Sequence, residues 1–504
     1  MRRSPVIPLV FLGLFGCYAS LSPGEIAGVG YTAEEIRSGN RILAIAGAVL
    51  KDRAVPPMEW SRHGPLPVLF DLPFLMLGSA VHSQDRVLSM QPVLFTALLA
   101  TVLFVWLRRL TSPGMSFLIT LAGAFGTMLW PYAYIGLETK QSLFLLLAGY
   151  LGLAGGGIRG WARILLFSVC CGLAVSLKST GVALFPAIAY LVYVQFRPEK
   201  RVPPWPMVAA ALVIGVIWAG AAVGRQPFWD AFGGSFAALR PWLIDHPLYY
   251  FANLLGIFGS PTKGLFFFAP VLVLSLYAVP QICRTHRDTG IFVLLAVSGM
   301  AAELAILRGF ADELWGPRYM HSAVAPLLVS IGAARPRFQL RREAPLIALA
   351  AVGVWISFLG AFSSYGRLYV AAAQTGQNNL EWLMGDSIWN HARFNARLLE
   401  VWRDGGGQVR WTPSHGWMFV APPGPPRDKS IDLRELASPQ SFLLRYWPVV
   451  PKQGSHLAMF VAFVSALVAG LTSLLLAGWI TAKESQAVAV QGRSGAFVKS
   501  RHPP

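Results

Sequence analysis

Two adjacent carboxylates open a stretch of helical pattern near the start of this chain. Glu34 and Glu35 follow Thr32, and the spacing of Thr32 and Glu35 is that of a capping box, which gives Glu35 a structural role. Glu34, Arg37 and Arg41 stand at i, i+3 and i+7 and fall on one helix face. One well-placed carboxylate is enough for general-base catalysis on a hydroxyl or an amine, and Glu34 is the stronger candidate.

Further acids follow at the ends of later apolar runs. Glu138 is interpreted either as a second acid of the site or as the ion-pair partner of Lys140 at a helix end, and the residue types leave both open. Asp312 and Glu313 form a third acidic position. Glu303 lies inside an apolar run, where an ionisable group normally faces a partner or water, and its role is unassigned.

Basic residues near these acids are the second constituent of the site. Arginine binds phosphate with forked hydrogen bonds and lysine binds it as a point charge, so a phosphate or diphosphate is the expected ligand. Anchoring to lipid head groups is the alternative for any one of them. It explains Arg318 less well, because a Gly and a Pro make the run from Trp315 to Tyr319 rigid. The candidates are Arg37, Arg41, Lys178, Lys263 and Arg318.

The composition indicates a polytopic membrane protein. Of 504 residues 55% are hydrophobic, and the mean hydropathy is +0.52. The net charge of +18 comes from short basic clusters between apolar runs, which mark cytoplasmic loops and argue against nucleic-acid binding. The four cysteines predict neither a disulfide framework nor a metal site. His63 and His246 stand apart from other metal ligands, so we interpret them as structural or substrate-orienting.

The basic clusters alternate with pairs of apolar runs, and this predicts an all-α fold with about twelve transmembrane helices and both termini in the cytoplasm. The N-terminal run also resembles a signal peptide or a lipoprotein cleavage box at Cys17, but an uncleaved first span fits the alternation better. Residues 66–81 are expected to lie along the membrane surface, because the run is short and contains prolines and Asp71. The expected spans are 5–22, 88–107, 114–132, 141–157, 162–177, 181–196, 206–224, 265–282, 289–307, 320–334, 344–364 and 456–480.

These spans divide the chain into four parts. Residues 1–362 form a transmembrane module whose first extracytoplasmic loop, 22–87, carries amphipathic helices. Residues 363–454, with Gly- and Pro-rich turns, are expected to form a small extracytoplasmic domain. Residues 455–482 are the last membrane helix, and residues 483–504 are expected to be a disordered cytoplasmic tail.

The order of these motifs resembles the GT-C superfamily of membrane glycosyltransferases, specifically bacterial relatives of the protein O-mannosyltransferases and of the lipid A aminoarabinose transferases. Glu34-Glu35 lies where that family has an Asp-Glu motif, and a tyrosine that often follows there is replaced by Ser38 and Gly39. The resemblance covers most of residues 1–335. Its other motifs are the stretches 62–67, 130–138, 172–181, 260–270 and 315–319.

The resemblance implies a plasma-membrane enzyme, in the inner membrane of a Gram-negative cell, with its active site on the extracytoplasmic side. It would transfer a hexose or pentose from a polyprenyl-phosphate donor to an acceptor, with inversion. Glu34 or Glu35 would be the base, and Glu138 would orient the acceptor or assist the base. Lys263 and Arg318, with Arg37, Arg41 and Lys178, would bind the donor phosphate. His63, Tyr132, Trp315 and Tyr319 would line the substrate pocket.

The expected partners are membrane lipids, the donor and an acceptor. The acceptor is a glycan, a lipid or a protein that the sequence does not identify. No cofactor is expected, and a divalent metal is left open. Two other classes remain as alternatives. One is a transporter or flippase of a lipid-linked sugar, which would use Glu303. The other is a non-catalytic assembly protein of the cell envelope, which would bind its partner through residues 363–454.

Overall fold

The structure is a computed structural model, and most of the apolar part of the chain is described in it. The described residues are 5–21, 39–45, 48, 65–82, 84–134, 136–155, 160–196, 204–222, 247–261, 263–307, 316–335, 343–362, 408–412, 416–420, 431–432 and 454–499.

Fifteen α-helices dominate the described residues, and residues 39–45 are also helical. Short 3-10 segments occur at Pro131–Tyr134, Ser179–Leu184, Pro270–Leu274 and Arg318–Met320. The helices are α1 Val6–Leu21, α2 Pro65–Ala80, α3 Gln84–Leu110, α4 Pro113–Gly126, α5 Gly136–Gly149, α6 Trp161–Ser176, α7 Phe185–Phe196, α8 Pro204–Ala222, α9 Pro247–Gly259, α10 Leu265–Phe268, α11 Ser275–Thr285, α12 Arg287–Leu307, α13 His321–Ala333, α14 Ala344–Phe362 and α15 Gly454–Lys499.

Each of the twelve expected spans overlaps at least one of these helices. The expected span 265–282 is broken, because Pro270 has no N–H to donate and the chain there forms α10, a 3-10 turn and α11 in succession. Helix α9 has no counterpart among the expected spans. Four described helices are long and apolar enough to cross a membrane, namely α3, α12, α14 and α15. Seven shorter apolar helices accompany them, so the number of spans stays a prediction.

The first and last helices pack side by side in opposite directions. A Cβ at Gly13 would lie 2.6 Å from the Leu474 side chain, and one at Gly16 would lie 2.5 Å from the Ala466 carbonyl oxygen. Gly16 follows Gly13 on α1, whereas Ala466 precedes Leu474 on α15, so the two helices are antiparallel. The start of α1 therefore lies at the same end of the bundle as the residues that follow position 474.

Helix α3 runs from one end of the bundle to the other. Near its C-terminus, Arg108 Nη1 donates to Glu484 Oε2 of α15 at 2.8 Å. Beside it, Thr111 donates to the carbonyl of Arg335. Gln91, near the start of α3, precedes Arg108 by 17 positions, a rise of about 26 Å at about 1.5 Å per residue. The predicted cytoplasmic clusters at Arg108, at Arg335 and in the C-terminal segment thus meet at one end of the bundle. That end is separated from Gln91 by about the thickness of the hydrocarbon core of a membrane.

The core lies between α3, α5, α12 and α13. Every residue of α13 is buried. Trp106 of α3 is fully buried, and its ring lies 6.1 Å from that of Phe292 of α12 and 6.4 Å from that of Tyr150. These aromatic contacts hold α3, the segment that follows α5 and α12 together. Helices α5 and α13 are neighbours in the middle of the bundle.

Two elements differ from the sequence expectation. Three short strands, β1 Gln408–Thr412, β2 Gly416–Val420 and β3 Ile431–Asp432, form an antiparallel sheet in the order β2-β1-β3, which an all-α fold does not include. In addition, α15 continues to Lys499, so most of the expected disordered tail is helical. Helix formers such as Ala, Glu, Lys and Gln are frequent after Trp479 and favour this continuation.

Candidate functional site

Glu138 is the centre of a buried ion cluster at the start of α5. It lies in the first turn of that helix, where the helix dipole favours a carboxylate, and it is only 2% exposed. Lys178 Nζ, just after the end of α6, donates to Glu138 Oε1 at 2.5 Å. Arg318 Nε, in the 3-10 turn before α13, donates to the same oxygen at 2.5 Å. Three separate parts of the chain thus meet at one carboxylate.

The charges of the cluster keep Glu138 ionised. Burial alone would raise the pKa of this carboxyl group, but the positive charges of Arg318 and Lys178, and their hydrogen bonds, outweigh burial and hold the pKa well below its usual range. All three side chains are buried, so these charges lie in a water-poor environment. The cluster therefore combines an ionised carboxylate with two buried cations.

The ring of Tyr319 packs against both cations. Lys178 Nζ lies 4.1 Å from the ring centroid, and Arg318 Cζ lies 5.3 Å from it. A cation near the face of an aromatic ring is attracted by the electron density of that ring. Tyr319 is half-buried while both cations are buried, so it forms the boundary between the cluster and the outside.

Two turns set the positions of the cations, and each depends on a glycine. Gly316 has φ +59°, and a Cβ there would lie 2.8 Å from the Phe268 ring. In the other turn, the Gly181 N–H donates to the Lys178 carbonyl at 2.9 Å, and a Cβ on Gly181 would meet the Val175 carbonyl at 2.3 Å. In the motifs around residues 178–181 and 315–319, the glycines therefore allow the backbone to lie closer to its neighbours than a residue with a Cβ could.

A polar network lies on the next turn of α5. Ser142 Oγ donates to the Glu138 carbonyl at 2.7 Å and lies 2.7 Å from His321 Nδ1. Ser322 Oγ is 3.1 Å from Ser142 Oγ and donates to Gln141 Oε1 at 3.4 Å. These hydrogen bonds fix the start of α13, which begins three residues after Arg318, against the start of α5. Sequence reasoning missed Ser142, His321 and Ser322, because isolated polar residues in apolar helices carry no spacing signal.

A second buried ion pair lies on the same turn of α5. Lys140 Nζ donates to Asp71 Oδ1 of α2 at 2.8 Å, and both side chains are at most 3% exposed. Gln91 of α3 donates to the same Asp71 oxygen. Of the two readings of Glu138, the pairing with Lys140 is therefore wrong, since each residue has its own partners. Asp71 was not predicted as a site residue, although an ionisable residue in an apolar run is a functional signal.

Of the predicted site residues, the structure brings together Glu138, Lys178, Arg318 and Tyr319. Tyr132 lies beside them, with its ring 5.4 Å from that of His321. Lys263 is fully buried in the turn before α10, the helix whose Phe268 packs on Gly316.

The remaining predicted residues are farther along the chain or outside the described part. Arg41 lies in the helical segment 39–45, which contacts α2 at Leu75 and α3 at Gln84. Outside the described residues lie Glu34, Glu35, Arg37, His63 and Trp315. Among the residues that the structure describes, no group of three or more His, Cys, Asp or Glu side chains is arranged to hold a metal ion.

The fold and the site define a helical, apolar protein with helices long enough to cross a membrane and a buried cluster of two cations and one carboxylate. No protein-family model matches the chain, and no curated protein matches it. Among solved structures, it is similar to the crystal structure of ArnT from Cupriavidus metallidurans bound to undecaprenyl phosphate, with 13% identity and a TM-score of 0.43. That match covers 93% of this chain and 76% of the other.

The apo state of the same protein matches with 15% identity and a TM-score of 0.40, over 93% of this chain and 75% of that one.

Proposed function

We propose that this protein is an integral-membrane glycosyltransferase that moves a sugar from a polyprenyl-phosphate donor to an acceptor at the outer face of the membrane. One observation carries the proposal. Two cations from different elements, Lys178 and Arg318, converge on a single carboxylate in a buried site. That site lies near Gln91, at the opposite end of the bundle from the basic clusters that indicate the cytoplasm.

The two cations support a phosphate ligand, since arginine binds phosphate with forked hydrogen bonds and lysine binds it as a point charge. The negative charge on a phosphate grows when it departs as a leaving group. Fixed cations in a low-dielectric site stabilise that developing charge without needing to reorient. In the proposed reaction the bond between the anomeric carbon and the phosphate oxygen breaks as the acceptor atom attacks from the opposite face.

Glu138 is assigned an electrostatic and orienting role instead of that of the base. A base works best with a pKa near the working pH, whereas the pKa of Glu138 is held well below its usual range by Arg318 and Lys178. The proton of the acceptor must therefore go to another group. We assign it to Glu34 or Glu35 of the first loop, both of which lie outside the described residues.

The test uses purified protein in detergent and a panel of radiolabelled polyprenyl-phosphate sugars, hexoses and pentoses, with and without a divalent metal. Consumption of one donor by the wild type, and its loss in Glu34→Gln or Glu35→Gln, supports the transferase and identifies the base. Glu484→Gln, at the opposite end of the bundle, is the matched control and should retain activity. A donor carried intact across a vesicle membrane would instead identify a flippase, and a protein that neither binds nor converts any donor would contradict the proposal.

A further inference from the structure

His321 is a fully buried histidine at the start of α13, and its two ring nitrogens differ in their surroundings. Its Nδ1 lies 2.7 Å from Ser142 Oγ. Its Nε2 is buried and has no hydrogen-bond partner among the described residues. Buried polar atoms in folded proteins normally have a partner, and an atom that lacks one within the protein usually faces an ordered water or a ligand.

The hydrogen bonds of Ser142 determine which nitrogen of His321 carries the proton. Ser142 Oγ has a single proton, and its contact of 2.7 Å with the Glu138 carbonyl oxygen requires that proton, because a carbonyl oxygen only accepts. His321 Nδ1 must therefore donate to Ser142 Oγ. Since burying a charge is costly, the imidazole group is neutral, and its Nε2 has no proton. His321 Nε2 is thus a buried acceptor that needs an O–H or N–H donor.

The residues around His321 belong to the candidate site. Ser142 stands four residues after Glu138, which places the two side chains on the same face of α5. Arg318, three residues before His321, binds the Glu138 carboxylate, and the Tyr132 ring lies 5.4 Å from the imidazole ring. The second carboxylate oxygen of Glu138, Oε2, is also buried and has no hydrogen-bond partner in the described part of the chain. The site therefore contains two acceptors that need hydrogen-bond donors.

The sugar of a lipid donor offers such groups. Every sugar hydroxyl has an O–H, and an amino sugar also has N–H groups, whereas the phosphodiester and the prenyl chain of the same lipid have neither. We propose that His321 is a substrate-binding residue whose Nε2 accepts a hydrogen bond from a hydroxyl or amino group of the sugar on the lipid donor. This inference rests on the proposed function, and it adds a contact with the sugar to the proposed phosphate contacts of Lys178 and Arg318.

Asparagine and glutamine separate the roles of the two ring nitrogens. The terminal nitrogen of asparagine is as many bonds from Cβ as Nδ1 of histidine is, so it can still donate to Ser142 Oγ. The terminal oxygen of glutamine is as many bonds from Cβ as Nε2 is, so it can still accept from a ligand. His321→Asn therefore keeps the contact with Ser142 and loses the acceptor, and His321→Gln does the reverse.

The experiment measures the Kd of undecaprenyl phosphate and of its hexose- and pentose-bearing forms for wild type and both variants in detergent. His321→Asn should bind a sugar-bearing lipid about tenfold more weakly, as for the loss of one hydrogen bond, and undecaprenyl phosphate within about twofold of wild type. His321→Gln should keep the affinity for the sugar-bearing lipid within about threefold and have a lower midpoint of thermal unfolding. His286→Asn, at an exposed histidine directly after α11, is the matched control and should change neither affinity.

A measurement on the wild type makes the test independent of how the variants fold. The nitrogen NMR signal of His321 Nε2 should move when the sugar-bearing lipid binds and stay in place with undecaprenyl phosphate. A structural water at Nε2 predicts instead an unmoved signal and a His321→Asn protein that binds every lipid as the wild type does. That result would overturn the inference and leave the proposed function standing. Equal losses of affinity for the sugar-bearing lipid in His321→Asn and His321→Gln would also overturn it.

Free sugars separate the two proposals. Glucose or arabinose at millimolar concentration should raise the unfolding midpoint of the wild type more than that of His321→Asn. If the free sugars show this difference but no form binds any polyprenyl-phosphate lipid, the contact between His321 and the sugar stands and the proposed donor class is wrong. A wild type that responds neither to free sugars nor to the lipids would overturn both proposals.

Discussion

Arg318 and Lys178 bind the same oxygen of Glu138, but they are not equivalent. The guanidinium group is planar and offers several donors in a fixed fork, whereas the ammonium group is a flexible point charge. We expect Arg318→Lys to keep the charge of the site, to preserve the fold and to lower turnover by about 100-fold, as for the loss of one well-placed donor. Turnover with saturating donor is the measurement.

Arg108→Lys is the matched control for this substitution. Arg108 also binds one carboxylate, that of Glu484, but at the other end of the bundle and with about a quarter of its side chain exposed. Its turnover should remain within about twofold of wild type, since partly exposed ion pairs contribute little. Equal losses of turnover in Arg318→Lys and Arg108→Lys would contradict a special role of Arg318. They would mean that replacing either arginine lowers turnover, whatever its place in the bundle.

The pKa of Glu138 also predicts how stability depends on pH. Because the pKa in the folded state lies well below the ordinary 4.5, the cluster contributes its full stability above about pH 4.5 and loses it as the pH falls toward the folded value. Between about pH 8 and 5 the Glu138 carboxyl group should therefore not lower the midpoint of thermal unfolding in detergent. Below that range the midpoint should decline. In Glu138→Gln the part of the decline that belongs to this carboxyl group should be absent.

At the scale of elements, the turn before α13 offers the sharpest test. Gly316→Ala forces a side chain into a left-handed conformation, at a cost of about 1–2 kcal/mol, and also brings a Cβ within 2.8 Å of Phe268. We expect a lower unfolding midpoint and, because Arg318 follows two residues later, weaker binding of undecaprenyl phosphate.

Gly215→Ala in α8 is the control, because no atom in the described part of the chain lies within 4 Å of its added Cβ. Removing a glycine from a helix interior should leave stability unchanged or raise it by up to about 1 kcal/mol. A Gly316→Ala protein as stable as Gly215→Ala would show that the turn tolerates an ordinary residue.

The elements also show what the sequence could predict. Long apolar runs between basic clusters located the helices, since hydrophobicity and charge placement are local properties of the chain. The same logic pointed to Glu138, Lys178 and Arg318, because each stands at the end of such a run. Which ends meet depends on how the helices pack, so the resemblance, and not the pattern of the residues themselves, assigned these three residues to one site. The Asp71–Lys140 pair was not predicted. The break at Pro270 was visible in the sequence, yet the run around it is apolar enough to resemble one continuous span.

At the scale of the whole molecule, the two ends of the bundle should face opposite sides of the membrane. Pro261 is exposed in the turn that carries Lys263, and Lys483 is exposed next to the Arg108–Glu484 pair. With Cys283 replaced by serine, a membrane-impermeant maleimide added to intact cells should label Pro261→Cys. Lys483→Cys should react only after permeabilisation. Labelling of both positions from the same side would contradict the orientation that the basic clusters indicate.

The antiparallel packing of α1 on α15 has a consequence for how the protein is made. Helix α1 leaves the ribosome long before α15, because about 430 residues must follow before its partner is synthesised. Throughout that time the face with Gly13 and Gly16 must be covered by lipid or by a chaperone. A chain that stops before residue 454 therefore keeps this face uncovered permanently, which makes premature termination recognisable to quality-control proteases at the membrane even when the ion cluster has already assembled.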